Sequence, residues 1–228
     1  MLNIAFTAQA AIFAPMTSYK ILSIQIGKPE KTSAKAGMTG HFKKPVDGAV
    51  QIGPLGLDGD AICDLDNHGG PEQAVYIFGD VDRHWWAREL DRDVPPGYFG
   101  ENLLISDLET GPLGLGDILT IGDVTLQITA PRIPCATYAA HIGSGQAIKQ
   151  FYAAGRPGAY ARVLQPGSVS AGMALTHTPH DGDHVTVAET MAQYLRKFSD
   201  TDFLQRILSV PAHAKLHQVA RLRLSEDG

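Results

Sequence analysis

The sequence predicts a mainly β fold of the α+β kind, with few helices in its body and a small three-helix unit at its C-terminal end. Three observations carry this. Most of the 24 glycines and 14 prolines fall between residues 27 and 172. Short β-rich runs lie between them, and many short strands with regular turns point to a barrel or a sandwich rather than a βαβ sheet. Sustained helical spacing appears only beyond residue 184.

The expected strands, in order, are Lys20–Ile26, Ala49–Ile52, Ala74–Phe78, Asp117–Ile121, Val124–Ile128 and Tyr160–Leu164, each rich in β-branched or aromatic residues. Ile121-Gly122-Asp123-Val124 reads as a hairpin with a Gly-Asp turn. Asp80–Leu90 is a helix with Trp85, Trp86 and Leu90 on its apolar side, and Gln146–Ala153 is another. Composition shifts at His177, where His177 to His184 is a polar linker of turn formers. After it, Thr186-Val187-Ala188-Glu189 is a capping box that starts a helix. Asp200 starts a second, carrying Phe203, Leu204 and Ile207. Pro211 is expected in the first turn of a third, with Leu216, Val219 and Leu222. The division is therefore an N-terminal extension over 1–18, a main domain over 19–178, a linker over 179–184 and a helical unit over 185–228. The extension is apolar, lacks the positive n-region of a signal peptide and is too short to span a bilayer.

The 228 residues carry a net charge of −5 with no polybasic run. That disfavours nucleic acid and membrane surfaces as partners. Two cysteines, Cys63 and Cys135, make no disulfide framework, which fits a reducing, cytoplasmic setting. P-loop, dinucleotide-binding and nucleophile-elbow motifs are all missing. The linker histidines His177, His180 and His184 have no cysteine partners of the kind a zinc site favours.

Chemistry concentrates in Pro131-Arg132-Ile133-Pro134-Cys135. Two prolines exclude a central strand or helix interior, so the segment reads as a loop following Val124–Ile128. An arginine three residues before a cysteine favours thiolate, the form that attacks or binds soft metals, although a single cysteine is most often a small buried hydrophobe. A second dense stretch runs from Gly56-Leu57-Asp58-Gly59-Asp60 to His68-Gly69-Gly70-Pro71, where two glycines allow close backbone approach and His68 can bind or donate a proton. The alternating Asp58, Asp60, Asp64 and Asp66 lack calcium-loop spacing and read as turn formers. Phe99-Gly100-Glu101-Asn102-Leu103 offers an amide with both donor and acceptor. Arg156 and Arg162 flank a glycine-rich approach to a strand, and Lys43-Lys44 adds positive charge.

These pieces, in this order, resemble the MOSC family, named after the C-terminal domain of molybdenum cofactor sulfurase, and most closely its YiiM-type branch. The matching stretches also include Ser23-Ile24-Gln25-Ile26-Gly27-Lys28-Pro29, Phe42-Lys43-Lys44-Pro45-Val46 and Tyr160-Ala161-Arg162-Val163-Leu164, and together they span residues 20 to 175. The three-helix tail also looks like that branch. The resemblance implies a MOSC-type β-barrel and a molybdenum cofactor, a pyranopterin with a dithiolene and a phosphate. It implies Cys135 as the molybdenum ligand or sulfur carrier, in keeping with a soft thiolate beside a cation. Lys44, Arg132 and Arg162 are the candidates for the cofactor phosphate, Tyr160 joins them in cofactor binding, and Asn102 and His68 would face the pterin or the substrate. The chain departs from the family pattern after the cysteine, where Ala136-Thr137 replace a lysine-containing pair, and at Cys63, where relatives often carry alanine.

The activity implied is reduction of N-hydroxylated bases such as 6-hydroxylaminopurine, with His68 protonating the leaving hydroxyl. Electrons would come from a separate reductase or a small thiol, since the chain has no flavin or nicotinamide fingerprint. The alternative is a carrier or sulfur-relay module in which Cys135 holds a persulfide or delivers the cofactor without reducing anything. Pyridoxal phosphate is not expected, because no lysine site for a Schiff base is evident. The apolar side of the tail suits either packing on the barrel or a homodimer contact.

Overall fold

The computed structural model describes residues 19–34, 37–65 and 67–226. The expected extension over 1–18 lies outside them, as does Asp66. The strands are β1 (Tyr19–Ile26), β2 (Glu30–Lys31), β3 (Met38–Thr39), β4 (Lys44–Val46), β5 (Val50–Gly53), β6 (Gly56–Leu57), β7 (Val75–Gly79), β8 (Leu103–Ile105), β9 (Ile118–Ile121), β10 (Val124–Pro131), β11 (Ala159–Gln165), β12 (Gly167–Val169) and β13 (Ala174–Thr178). The helices are α1 (Asp80–Glu89), α2 (Ala136–Ile142), α3 (Ala147–Ala154), α4 (Val187–Leu195), α5 (Thr201–Ile207) and α6 (Ala214–Glu226).

Seven strands close a barrel in the order β1, β13, β9, β10, β11, β7, β8 and back to β1. All these pairs are antiparallel except β7 and β8, which run parallel. Between β7 and β8 the chain makes a crossover that includes α1, as a parallel pair requires. The open alternatives of barrel and sandwich thus resolve to a barrel. β4 continues along β1 beyond its contact with β13.

Alternation of side chains decides what each strand buries. Leu126 and Ile128 of β10, and Leu119 and Ile121 of β9, point inward and are fully buried. β7 reads Val-Tyr-Ile-Phe-Gly and is buried on both faces. Its Val75 and Ile77 join the aliphatic interior. Its Tyr76 and Phe78 join a second, aromatic core with Trp86, Phe99, Tyr138 and Phe151 outside the barrel wall. The phenyl rings of Phe78 and Phe99 stack at 4.6 Å between centroids.

The tail packs on the barrel. Val187, Phe203, Leu204, Ile207 and Leu216 belong to the same apolar cluster as the barrel strands. Thr186 and Asp200 cap α4 and α5 as expected, accepting from the Glu189 and Phe203 amides at 3.0 and 3.1 Å. Leu115 N–H donates to Val185 O at 2.8 Å, and Val187 N–H to Leu113 O at 2.8 Å, stitching the linker's end to a barrel loop.

Four local expectations need correction. β10 runs on to Pro131, paired with Ala159, because a proline at a strand end loses no essential ladder bond. The residues after Cys135 form α2, which lacks an obvious sequence signal. Pro211 precedes α6 rather than opening it, and its carbonyl accepts from Arg162. His177 lies inside β13 rather than in a linker, and its Nε2 is 2.7 Å from Asp117 Oδ2.

Candidate functional site

Loops at one side of the barrel enclose a cavity of about 710 Å³. Cys135 and Arg132 come from the loop after β10, His68 and Asp60 from the segment after β6, Lys43 from the approach to β4, and Tyr160 from β11. The cavity is large enough for a cofactor-sized molecule.

Cys135 is the N-cap of α2, with φ −113° and ψ 175°. Its thiol is partly buried, which alone would raise its pKa. Hydrogen bonding to His68, the Arg132 charge and the Tyr138 backbone N–H outweigh that and bring it from 9.0 to about 6. The thiolate therefore predominates at neutral pH. Arg132 is 3% exposed. Its Nη1 donates to Ile133 O at 2.6 Å, and its Nη2 lies 3.7 Å from Cys135 Sγ. The guanidinium also sits over Tyr138, Phe151 and Tyr76, 5.5, 5.8 and 6.0 Å from the ring centroids. Such cation–π contacts partly replace its lost hydration.

His68 lines the same cavity as Cys135, and the chain turns sharply after it. Gly69 and Gly70 have φ +75° and +80°, a region that side-chain-bearing residues rarely adopt. Asp60 anchors the opposite wall, accepting from Gly27 N–H at 2.7 Å and from Asn102 Nδ2 at 2.8 Å, and pairing with Lys43. Burial lowers the Lys43 pKa, against the pull of Asp60.

Not every expected residue faces the cavity. Lys44 is exposed on β4 and does not line it, whereas Lys43 does. Neighbouring residues of an extended segment point to opposite sides, so only one of the pair can turn inward. Arg162 is also outside it. Its Nη2 bonds Glu72 Oε1 at 3.1 Å and the carbonyls of Pro211 and Ala212 at 3.2 and 3.0 Å, tying β11 to the tail. Asn102 borders the cavity, but its Oδ1 accepts from Tyr76 N–H at 3.1 Å while its Nδ2 donates to Asp60. It braces the wall, with both ends of its amide taken up by protein. Sequence reasoning missed His41 and Gln73, which also line the cavity. His41 Nε2 and Gln73 Oε1 are buried and have no hydrogen-bond partner among the described residues. Burial, chiefly, holds His41 far below the usual histidine pKa.

The donor set says what kind of group fits. Among the described residues no three His, Cys, Asp or Glu side chains converge on a metal-sized point. One thiolate beside a guanidinium suits a metal that arrives with its own chelating ligand. The unpaired His41 Nε2 suits a polar heterocycle. A molybdenum cofactor meets both conditions.

The model of the MOSC domain matches residues 64–176. YflK of Bacillus subtilis, an uncharacterized protein, is 33% identical over 156 residues, 68% of this chain and 71% of the relative. YiiM of Escherichia coli is 32% identical over 177 residues, 76% of this chain and 78% of YiiM. The chain belongs to the MOSC domain family. The crystal structure of YiiM from Geobacillus stearothermophilus superposes on this MOSC protein with a TM-score of 0.75 at 26% identity, covering 90% of this chain and 99% of that one. For YiiM from Escherichia coli the TM-score is 0.73 at 27% identity, with 92% and 94% covered. The shared architecture reaches into the tail, since a match to 90% of the chain leaves out fewer residues than the tail contains. Among the described residues, no helix of the MOSC protein is long and apolar enough to cross a membrane.

Proposed function

We propose that this MOSC protein holds a molybdenum cofactor through Cys135 and reduces N-hydroxylated bases, such as 6-hydroxylaminopurine, to the amine. The observation that carries the reading is a Cys135 thiol brought to a pKa of about 6 chiefly by His68 and Arg132, all three lining one roomy cavity. A relative from Gibberella moniliformis named as a reductase, 29% identical over 161 residues that make up 67% of this chain but only 28% of the relative, is consistent with oxidoreductase chemistry.

When bound, the cofactor supplies two electrons for N–O cleavage. The overall change, hydroxylamine plus two electrons and two protons giving amine plus water, leaves the chain two tasks. Cys135 retains the metal. His68 delivers a proton to the departing hydroxyl, so that it leaves as water, and solvent supplies the second proton. Lys43 provides positive charge for the cofactor phosphate, and Arg132 holds Cys135 as thiolate. Electrons enter from a separate reductase or a small thiol.

A carrier or sulfur-relay reading is favoured by one observation: Cys63, the other thiol, borders the same cavity. Metal analysis tests the main reading, with wild type and Cys135→Ser purified from cells that make the molybdenum cofactor, followed by assay on 6-hydroxylaminopurine with a chemical reductant. Stoichiometric molybdenum and adenine production in wild type, both lost in the variant, are expected. Molybdenum without reduction of any N-hydroxylated compound would favour the carrier, and no molybdenum in either protein would remove the cofactor from the account.

A further inference from the structure

A second cleft of about 170 Å³ opens beside the main cavity, and the tail supplies one of its walls. Tyr194 of α4, His213 before α6, and Lys215 and Leu216 of α6 line this cleft and not the main cavity. His68, Gln73 and Tyr160 line both. The two spaces therefore meet at the histidine assigned to proton delivery. Their sizes divide the work. The smaller is below the roughly 300–1,000 Å³ of pockets for drug-sized ligands and suits a fragment. Its chemistry is that of a slot for a flat ring. Tyr160, Tyr194 and His213 offer aromatic surface, and Leu216 offers an apolar contact. Gln73 Oε1, buried without a hydrogen-bond partner among the described residues, calls for an N–H donor.

We propose that this cleft is the substrate subsite. A free nitrogen heterocycle bearing an N–H edge lies between barrel and tail, donates to Gln73, and presents its hydroxylated nitrogen to His68, while the larger cavity keeps the cofactor. This deepens the reading given above and rests on it. The tail is then a specificity element rather than only a stabilising one.

The test is calorimetric titration of adenine, the stable product of 6-hydroxylaminopurine reduction, into the full-length protein as purified from cofactor-making cells. Lys215 is exposed, so Lys215→Trp fills the cleft's mouth from the surface, and Gln73→Leu removes the unpaired acceptor. Each variant is expected to weaken adenine binding about tenfold or more, and Lys215→Trp, at a position that lines only the cleft, is expected to leave molybdenum content unchanged. Gln73→Glu keeps an acceptor and is expected to retain more affinity than Gln73→Leu. If adenine binds wild type and both disruptive variants equally, the subsite is wrong and the base lies in the main cavity. If wild type binds molybdenum but no adenine, the subsite fails, while base reduction stands or falls separately on the 6-hydroxylaminopurine assay.

Discussion

Arg132 and Cys135 form a cation–thiolate pair, with Nη2 of the buried arginine 3.7 Å from the partly buried Sγ and, among the described residues, no carboxylate bonded to the guanidinium. The other buried positive charge of the cavity wall, Lys43, has Asp60 as its counter-ion. Among the described residues Arg132 has the thiolate, a carbonyl and aromatic faces as its partners. A buried cation so placed demands an anion, and Cys135 is the group at hand.

Thiol reactivity reports this pair directly. In cofactor-free protein, the rate of Cys135 alkylation is expected to rise with pH around a midpoint of about 6. Cys63 must be replaced by serine so that one thiol is read. His68→Ala and Arg132→Met each remove a stabiliser of the thiolate, so each should move the midpoint upward towards the ordinary thiol range. A midpoint unmoved by both changes would contradict the assignment. The same shift affects stability. The folded pKa is depressed, so the contribution is fully present only above the unfolded thiol pKa and is lost as pH falls through about 6.

Lys43 and Lys44 make a paired comparison. Lys44→Ala should leave molybdenum content at the wild-type level, because the side chain is exposed and outside the cavity lining. Lys43→Ala should remove most of it. Equal retention by both variants, measured by metal analysis on folded protein, would show that the inward charge is not used.

Asp60 is a joint of the wall as well as a partner of Lys43. Asp60→Ala leaves Lys43 buried without its counter-ion and frees the Gly27 amide and the Asn102 side chain. A loss of about 3–5 kcal/mol is expected, the range for breaking a buried pair. Chemical denaturation at neutral pH measures it, and a cost under about 1 kcal/mol, the surface-pair range, would mean water compensates.

Asp117 gives a second pH dependence. Burial works against its charge, but His177 at 2.7 Å and the amides of Gly114 and His180, each at 2.8 Å, outweigh that and lower its pKa. Its contribution is therefore present above the unfolded carboxyl pKa, near 3.9, and is lost as pH falls through the lower folded value. Asp117→Asn should destabilise the protein by about 2 kcal/mol at neutral pH. The gap between wild type and variant should narrow in the acid limb, and denaturation curves at successive pH values would show whether it does.

Much of the fold was legible because strand alternation and turn chemistry are local signals. The run Val124–Ile128, the Gly122-Asp123 turn and the Thr186 cap all follow from neighbouring residues. Barrel closure is not local, since it depends on β1 meeting β13. Helix α2 escaped notice because its start, Cys135, has no side-chain capping bond. At the site, Cys135, Arg132 and His68 were readable from dense motifs. The choice between Lys43 and Lys44 turned on a one-residue difference in direction. Arg162 looked like a phosphate ligand by composition, but Glu72 and the tail carbonyls were already waiting for it, at a separation no motif records.

The seam between Tyr19 and Leu175 sets a condition on how the chain is made. The first strand of the barrel is completed by the last, so the ring cannot shut while the chain is still emerging from the ribosome with residue 175 unsynthesised. Until then β1 has an unfilled edge, and the closing pair bears the loop entropy of nearly the whole barrel. Slow, all-at-once closure of the barrel is the consequence.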